Sequence, residues 1–320
     1  MDAPKSRKFF WKIALYTLLF SLGVSIWYAG KALQYTWNFN RIPNFFIIQS
    51  QEFIRAPFDG RIIKCKITGS MTILTLQDKE SSETEIEIPT KGVSAQVNEE
   101  VFEGDIIGKQ TDWSLGPLAQ GLGTTVWLSL ISGVIGLGIS FFVAFARLSK
   151  NPLFHGLAAF YVEVIRGTPL LVQLLIAYFF VGTLLNLDRY VAGGGALALF
   201  SGAYFTEILR GGIQSVSKGL IEASRALGLT AFQTIRYIVL PLAIKRTLPA
   251  LAGQFISLVK DSSLVSIIAI SDLTKAGREI AASTFSTFEV WFTVAGLYLM
   301  LTLGLSYIAR IIERKVAFRD

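Results

Sequence analysis

Four ionisable residues interrupt runs that are otherwise apolar: Glu163, Glu207, Lys260 and Asp261. A charge held at the middle of a bilayer costs about 2.5 to 3.5 kcal/mol on insertion scales, so such a group faces a polar cavity or a partner. Glu163 stands three residues before Arg166 and Glu207 three before Arg210, a spacing that lets each pair close on one helix face near the membrane surface. These two pairs read either as local ion pairs or as part of a polar path. Lys260 and Asp261 differ, because neighbours on a helix point about 100° apart and neutralise each other poorly. Hydroxyls follow at Ser262, Ser263 and Ser266, which makes the segment from Lys260 to Ser266 the best candidate for receiving a polar solute. A second opening of the backbone is expected at Arg166-Gly167-Thr168-Pro169, since Pro169 lacks an amide and Gly167 loosens the turn; a proline-started helix at the membrane surface fits the same residues. Thr168 in this stretch and Gln173 just beyond it complete the polar positions of the candidate path.

The same inventory excludes most enzymology. His155 is the only histidine and Cys65 the only cysteine, so a Ser/His/Asp arrangement, a His/Cys zinc site and a disulfide within the chain all lack material. Gly104-Asp105-Ile106-Ile107-Gly108-Lys109-Gln110 has the outline of a phosphate loop. It is one residue short between its glycines, lacks Ser or Thr after the lysine, and reads as a β turn. No catalytic residue, no metal site and no ATP site is assigned. The net charge of +7 comes from Lys and Arg placed mainly in short loops beside apolar spans. That is the positive-inside distribution of a membrane protein rather than a nucleic-acid surface.

The elements that position these residues are membrane spans. Of 320 residues, 52% are hydrophobic and 17% charged, with a mean hydropathy of +0.51, too apolar for a soluble domain of this size. The first run, 9–29, follows Lys5, Arg7 and Lys8; it is longer than a signal peptide's apolar region and reads as an uncleaved anchor. Further runs cover 117–146, 156–185, 194–213, 251–270 and 288–312, so six crossings are expected. Basic residues assign the N-terminus, the loop after the second span, the loop 217–246 and the C-terminal tail to the cytoplasm, and residues 31–114 to the outside. Ser132, Gly136, Ser140 and Ala144 form a small-residue stripe that lets another helix approach closely.

Residues 31–114 have a different texture, with Gly and Pro punctuation and period-two alternation in TEIEIPT and GRIIKCKI, as short strands require. A weak internal repeat relates Ile54-x-Ala56-Pro57-x-x-Gly60-x-Ile62 to Ile86-x-Ile88-Pro89-x-x-Gly92-Val93. This resembles the two halves of the small β sandwich of lipoyl and biotinyl domains, also found in membrane-fusion adaptors of efflux systems. Lys79 stands where a modified lysine would sit, but an outside location removes it from modifying enzymes and favours a structural or docking module.

The loop from Glu222 to Pro241 has its own punctuation. Ser217 can cap a helix running through Leu227, Gly228 suits the left-handed residue past a helix end, and Thr230 with Gln233 forms a capping box for a second helix, which Pro241 is expected to end. A DNA-binding helix-turn-helix has this outline too, but apolar spans on both flanks tie the loop to the bilayer.

The same residues fit the pattern E-A-A, three residues, G, nine residues, I-x-L-P, with Ser224 in place of the second alanine. This resembles the cytoplasmic coupling loop of membrane permeases of ATP-binding-cassette importers. Tyr161-Val-Glu163-Val-Ile-Arg166-Gly-Thr168-Pro169-Leu-Leu-Val-Gln173, Glu207-Ile-x-Arg210-Gly-Gly-Ile-Gln214 after Ala203-Tyr204, and Gln254-Phe-Ile-Ser-Leu-x-Lys260-Asp261-x-Ser263-Leu-Val-Ser266 look like the signatures of the polar amino acid (histidine, glutamine and arginine type) subfamily. The resemblance covers roughly residues 115–315. It implies an all-α polytopic membrane protein in a bacterial inner membrane, with five crossings in the family core. Here an N-terminal anchor (1–30) and an external β-sandwich domain (31–114) are added before the permease domain (115–320). By the same resemblance, Glu222, Ala223, Ser224, Arg225, Ala226, Leu227, Gly228 and Pro241 would dock an ATPase dimer that carries the ATP and Mg. A second permease subunit, an external solute-binding protein and an amino acid substrate would complete the system. Rivals are a membrane-anchored adaptor whose β domain is the working part, which has no use for an ATPase-docking turn, and a secondary transporter driven by an ion gradient.

Overall fold

The computed structural model describes residues 5–32, 35–78 and 82–317, so Lys79 lies outside the described residues. Helix α1 (Lys5–Ala32) contains a short apolar stretch, Ile13–Ser25. A 3-10 turn, Phe39–Phe45, leads into strands β1 (Ile47–Arg55), β2 (Gly60–Thr68), β3 (Met71–Asp78), β4 (Glu83–Pro89), β5 (Glu100–Val101) and β6 (Ile106–Leu115). β1 and β6 form an antiparallel pair, and the other four a sheet of order β4-β3-β2-β5. Period-two alternation turns Ile62, Leu74, Leu76 and Ile88 inward, where they pack with Ala56, Val101 and Ile107. The repeat has a structural meaning: a Cβ on Gly60 would collide with the Gln77 carbonyl and one on Gly92 with the Lys109 carbonyl, so both glycines admit a close backbone. The stretch at Gly104 is a turn, with φ +93° and the Asp105 amide bonded to the Phe102 carbonyl at 3.0 Å.

The helical part comprises α2 (Pro117–Arg147), α3 (Pro152–Gly167), α4 (Leu170–Leu185), α5 (Arg189–Gln214), α6 (Lys218–Ala226), α7 (Ala231–Ile268), α8 (Leu273–Thr284) and α9 (Thr287–Ala317). Asn151 caps α3 by accepting from the Leu153 amide at 2.9 Å, and Asp188 caps α5 by accepting from Tyr190 at 2.8 Å. The small-residue stripe of α2 faces α5. Ser132 donates to the Gly194 carbonyl at 3.0 Å, and a Cβ on Gly136 would strike the Ser201 hydroxyl and come within 2.8 Å of the Ala198 carbonyl.

Among the described residues, α2, α7 and α9 are long and apolar enough to cross a membrane, and α3 with α4 makes a fourth if that bent pair is one span. The expected six differ from this for a physical reason. α5 has 26 residues, but glycines, serines, Glu207 and Arg210 dilute its apolar run, and it buries residues along most of its length against protein. A helix covered by other helices need not be as apolar as one facing lipid. The run at 156–185 is interrupted by a 106° bend between α3 and α4. Pro241 does not end a helix: a π-helical turn, Ile235–Val239, precedes it and the helix continues to Asp261. Proline at the first turn after such a bulge has no amide to leave unsatisfied.

The β part is mounted on the helices through the turn before β1. Phe45 and Phe46 pack on the cluster of Leu118, Leu273, Ala276, Ile280 and Val290. The Phe46 carbonyl accepts from the Gly116 amide at 2.7 Å. The Tyr35 hydroxyl and the Asn38 amide both donate to Glu289, the latter at 2.6 Å. Trp37 stacks on Phe39 and meets Phe288 and Phe292.

Candidate functional site

Glu207 is the centre of a charge cluster that joins three helices. Its side chain, 17% exposed, receives Arg210 from its own helix at 2.7 Å, Arg147 from the end of α2 at 3.5 Å and Arg166 from the end of α3 at 3.9 Å. Arg166 also lies over the Tyr204 ring at 5.2 Å. The pairing of Glu207 with Arg210 is the one that their spacing predicts. The pairing of Glu163 with Arg166 does not form among the described residues: Glu163, 72% exposed, reaches Arg147 at 3.6 Å instead, and Arg166 turns to Glu207. Arg147 is the residue that sequence reasoning missed. It ends an apolar span and counts there only as a topological charge.

The bend after Gly167 is closed by side chains. Thr168 Oγ1 donates to the Val164 carbonyl at 2.9 Å, and Gln173 Nε2 donates to the Ile165 carbonyl at 2.7 Å and to Thr168 Oγ1 at 2.8 Å. These bonds replace the helical ladder that Pro169 interrupts. Gln173 Oε1 is buried and has no partner among the described residues.

The segment from Lys260 to Ser266 changes helix type: α-helical geometry ends at Asp261 and a 3-10 stretch runs from Ser262 to Ile268, ending at Ala269 with φ +62°. Lys260 and Ser263 line a cavity of about 310 Å³ with Thr274, Trp291 and Tyr298. No ion pair joins Lys260 to Asp261, as their divergent directions require. Ser262 and Ser266 are buried, and their hydroxyls are engaged within the protein: Ser262 donates to the Val259 carbonyl at 2.8 Å and Ser266 accepts from Arg278 at 3.2 Å. Asp272 is also buried; it caps α8 by accepting from Thr274 and Lys275 amides at 3.1 and 2.9 Å. No hydrogen bond or ion pair among the described residues links this segment to the Glu207 cluster.

The loop after α5 forms a helix, a turn and a second helix start. Ser217 occupies the N-cap position of α6, but its side chain makes no capping bond. Gly228 has φ +80°, and its amide reaches the Arg225 carbonyl at 2.9 Å while the Leu229 amide reaches Ser224 at 3.1 Å. The capping box is complete: the Thr230 amide donates to Gln233 Oε1 at 2.8 Å and the Gln233 amide to Thr230 Oγ1 at 3.3 Å. Ser224, the departure from the E-A-A pattern, is buried; its hydroxyl donates to the Ile221 carbonyl at 2.7 Å and meets Thr234 Oγ1 at 2.9 Å, stapling α6 to the start of α7. Glu222, Ala223, Arg225 and Ala226 are exposed, and Leu227 is 81% and Phe232 72% exposed. Large apolar side chains left exposed on a turn are a feature shared by many contact surfaces.

Residues 119–318 match the family described as binding-protein-dependent transport system inner membrane component. The chain is 40% identical over 215 residues to the glutamine transport system permease protein GlnP of Escherichia coli strain K12, covering 65% of this chain and 98% of that one. It is 39% identical over 211 residues to the nopaline transport system permease protein NocM of Agrobacterium fabrum, covering 62% and 88%. Among solved structures, an amino acid ABC transporter crystallised with histidines superposes with a TM-score of 0.59 at 39% identity, over 62% of this chain and 94% of that one. The inward-facing MetNI methionine ABC transporter shares the fold, with a TM-score of 0.56 at 22% identity over 62% and 96%. By sequence and by fold, the chain belongs to the family of inner membrane components of binding-protein-dependent transport systems.

Proposed function

We propose that this chain is the permease subunit of an ATP-binding-cassette importer of polar amino acids, with no catalysis of its own. The observation that carries this reading is the turn at Gly228, with exposed Leu227 and Phe232, in a chain 40% identical to a glutamine permease. An ATPase dimer, which holds the ATP and Mg, docks on Glu222 to Gly228; a second permease copy or paralogue completes the pathway, and an external solute-binding protein delivers the substrate. The chain crosses the bilayer six times, with both termini in the cytoplasm and the β domain, a lipoyl-like sandwich, outside. The substrate passes the Arg166 to Pro169 bend with Gln173 and the Lys260–Ser263 cavity, where Lys260 receives the carboxylate of an amino acid and the Ser263 and Thr274 hydroxyls offer further polar contacts. Closure of the ATPase dimer pushes α6, and alternating access follows.

The test is reconstitution into proteoliposomes with the ATPase and the binding protein. ATP hydrolysis stimulated by the loaded binding protein, with uptake of glutamine or a related amino acid, is expected. Uptake that needs an ion gradient and no ATP would replace this reading with a secondary transporter. For the topology, Cys65, which is exposed, should label in intact spheroplasts with an impermeant maleimide; labelling only after lysis would invert it.

A further inference from the structure

The outer face of the four-stranded sheet carries charge in an order that the fold alone does not require. Leu74 and Leu76 of β3 point into the core, so Ile73, Thr75 and Gln77 lie on the opposite face, where Thr75 is buried and Ile73 and Gln77 are half-buried between the flanking strands' longer side chains. In register with them stand Glu87, Glu85 and Glu83 on β4 and Lys66, Lys64 and Arg61 on β2. All six flanking residues are exposed. The face is therefore a row of three carboxylates and a row of three cations, parallel and about 10 Å apart across β3, at two strand spacings. Among the described residues, Arg61 pairs with Glu100 at 2.5 Å, and no ion pair engages Lys64, Lys66, Glu83, Glu85 or Glu87.

We propose that this face pairs with the same face of a second copy of the chain. A two-fold axis running along β3 carries the acidic row of one copy onto the basic row of the other, residue for residue: Glu83 onto Arg61, Glu85 onto Lys64, Glu87 onto Lys66. An axis across the strands instead sets acid on acid and base on base. The surface is thus self-complementary in a single orientation, as an isologous contact requires. Charges also keep open strand edges from pairing with other strands, but that need is indifferent to sign, and here each row carries one sign throughout. Exposed pairs add little affinity; between copies already tethered side by side they set register and orientation. The proposal rests on the reading above that two permease chains associate. It also requires β3 to stand along the membrane normal, since a two-fold relating chains in one bilayer has that direction.

The experiment uses two differently tagged full-length copies in a Cys65→Ser background, co-expressed and co-purified. One carries Glu85→Cys and the other Lys64→Cys, and a short bismaleimide spanning the gap between facing sheets, about 10 Å, is applied. The unlike pair should cross-link strongly and two Glu85→Cys copies weakly. Adding Glu87→Lys to both copies turns two attractive contacts repulsive and should lower the yield roughly ten-fold, with recovery when Lys66→Glu is added as well. If the tagged copies co-purify but the unlike pair cross-links no better than the like pair, the face-to-face contact is wrong while subunit association stands. If the copies do not co-purify, the contact between like copies is wrong, while pairing with a paralogous permease stands.

Discussion

Gly228 is the position where the proposed ATPase-docking turn can be tested through backbone conformation alone. Its φ of +80° lies in the left-handed region, while a Cβ added there would meet nothing within 4 Å. Gly228→Val therefore creates no clash, and its whole cost is conformational. An L-residue in this region costs about 1 to 2 kcal/mol, with β-branched residues at the upper end. The turn resists through two backbone bonds, Gly228 to Arg225 at 2.9 Å and Leu229 to Ser224 at 3.1 Å, each worth about 1 kcal/mol net. Strain and restraint nearly balance, so the turn opens for much of the time; 2 kcal/mol corresponds to a roughly 30-fold shift in that equilibrium. Substrate-stimulated ATP hydrolysis in proteoliposomes should fall accordingly, while insertion and folding of the permease, read by its thermal melt in detergent, stay near the parent. Gly228→Asn, which tolerates the left-handed region, should retain most of the stimulation, with Gly228→Ala between the two. Full stimulation in the valine variant, or equal loss in the asparagine variant, would refute the conformational argument.

Other consequences are open to direct measurement. Glu207→Gln leaves three guanidinium groups around a neutral amide and should lower thermal stability by about 1 to 3 kcal/mol, whereas Glu163→Gln, at a largely exposed site, should stay within about 0.5 kcal/mol; equal effects would dissolve the hub at Glu207. Gly136→Leu drives a side chain into Ser201 and the Ala198 carbonyl and should cost about 1 to 3 kcal/mol or more, while Gly138→Leu on the same helix meets open space and should be nearly neutral in the same melt. Tyr35→Phe removes one of the two donors to the buried Glu289. It should weaken the joint below the β part by about 1 to 3 kcal/mol, seen as faster limited proteolysis between α1 and β1; an unchanged cleavage rate would show that the aromatic contacts alone hold it.

Local punctuation was legible from the chain. The Thr230 and Gln233 capping box, the left-handed Gly228 and the small-residue stripe of α2 depend on residues within a few positions of one another, and each formed as its chemistry requires. The bend at Gly167 to Pro169 formed, and Pro169 also stands at the start of the helix that follows it, so both features read from those residues are present. Pro241 misled because a π turn over Ile235–Val239 precedes it and the helix runs on to Asp261, a feature that spacing near the proline does not announce. The hydroxyls of Ser262 and Ser266, read as facing a path, turned into the protein.

What the sequence determined by itself was the apolar character of the chain, the family-specific motifs and the caps and breaks of individual helices, all of which rest on short-range steric and hydrogen-bonding rules or on hydropathy. Tertiary structure alone decided which distant charges meet: Arg147 with Glu163 and Glu207 across α2, α3 and α5, Tyr35 with Glu289 across most of the chain, and the acidic and basic rows across β3. A charge in a partly dry environment takes whichever partner the packing brings nearest, and that choice is made by helix crossings and strand register rather than by spacing along the chain.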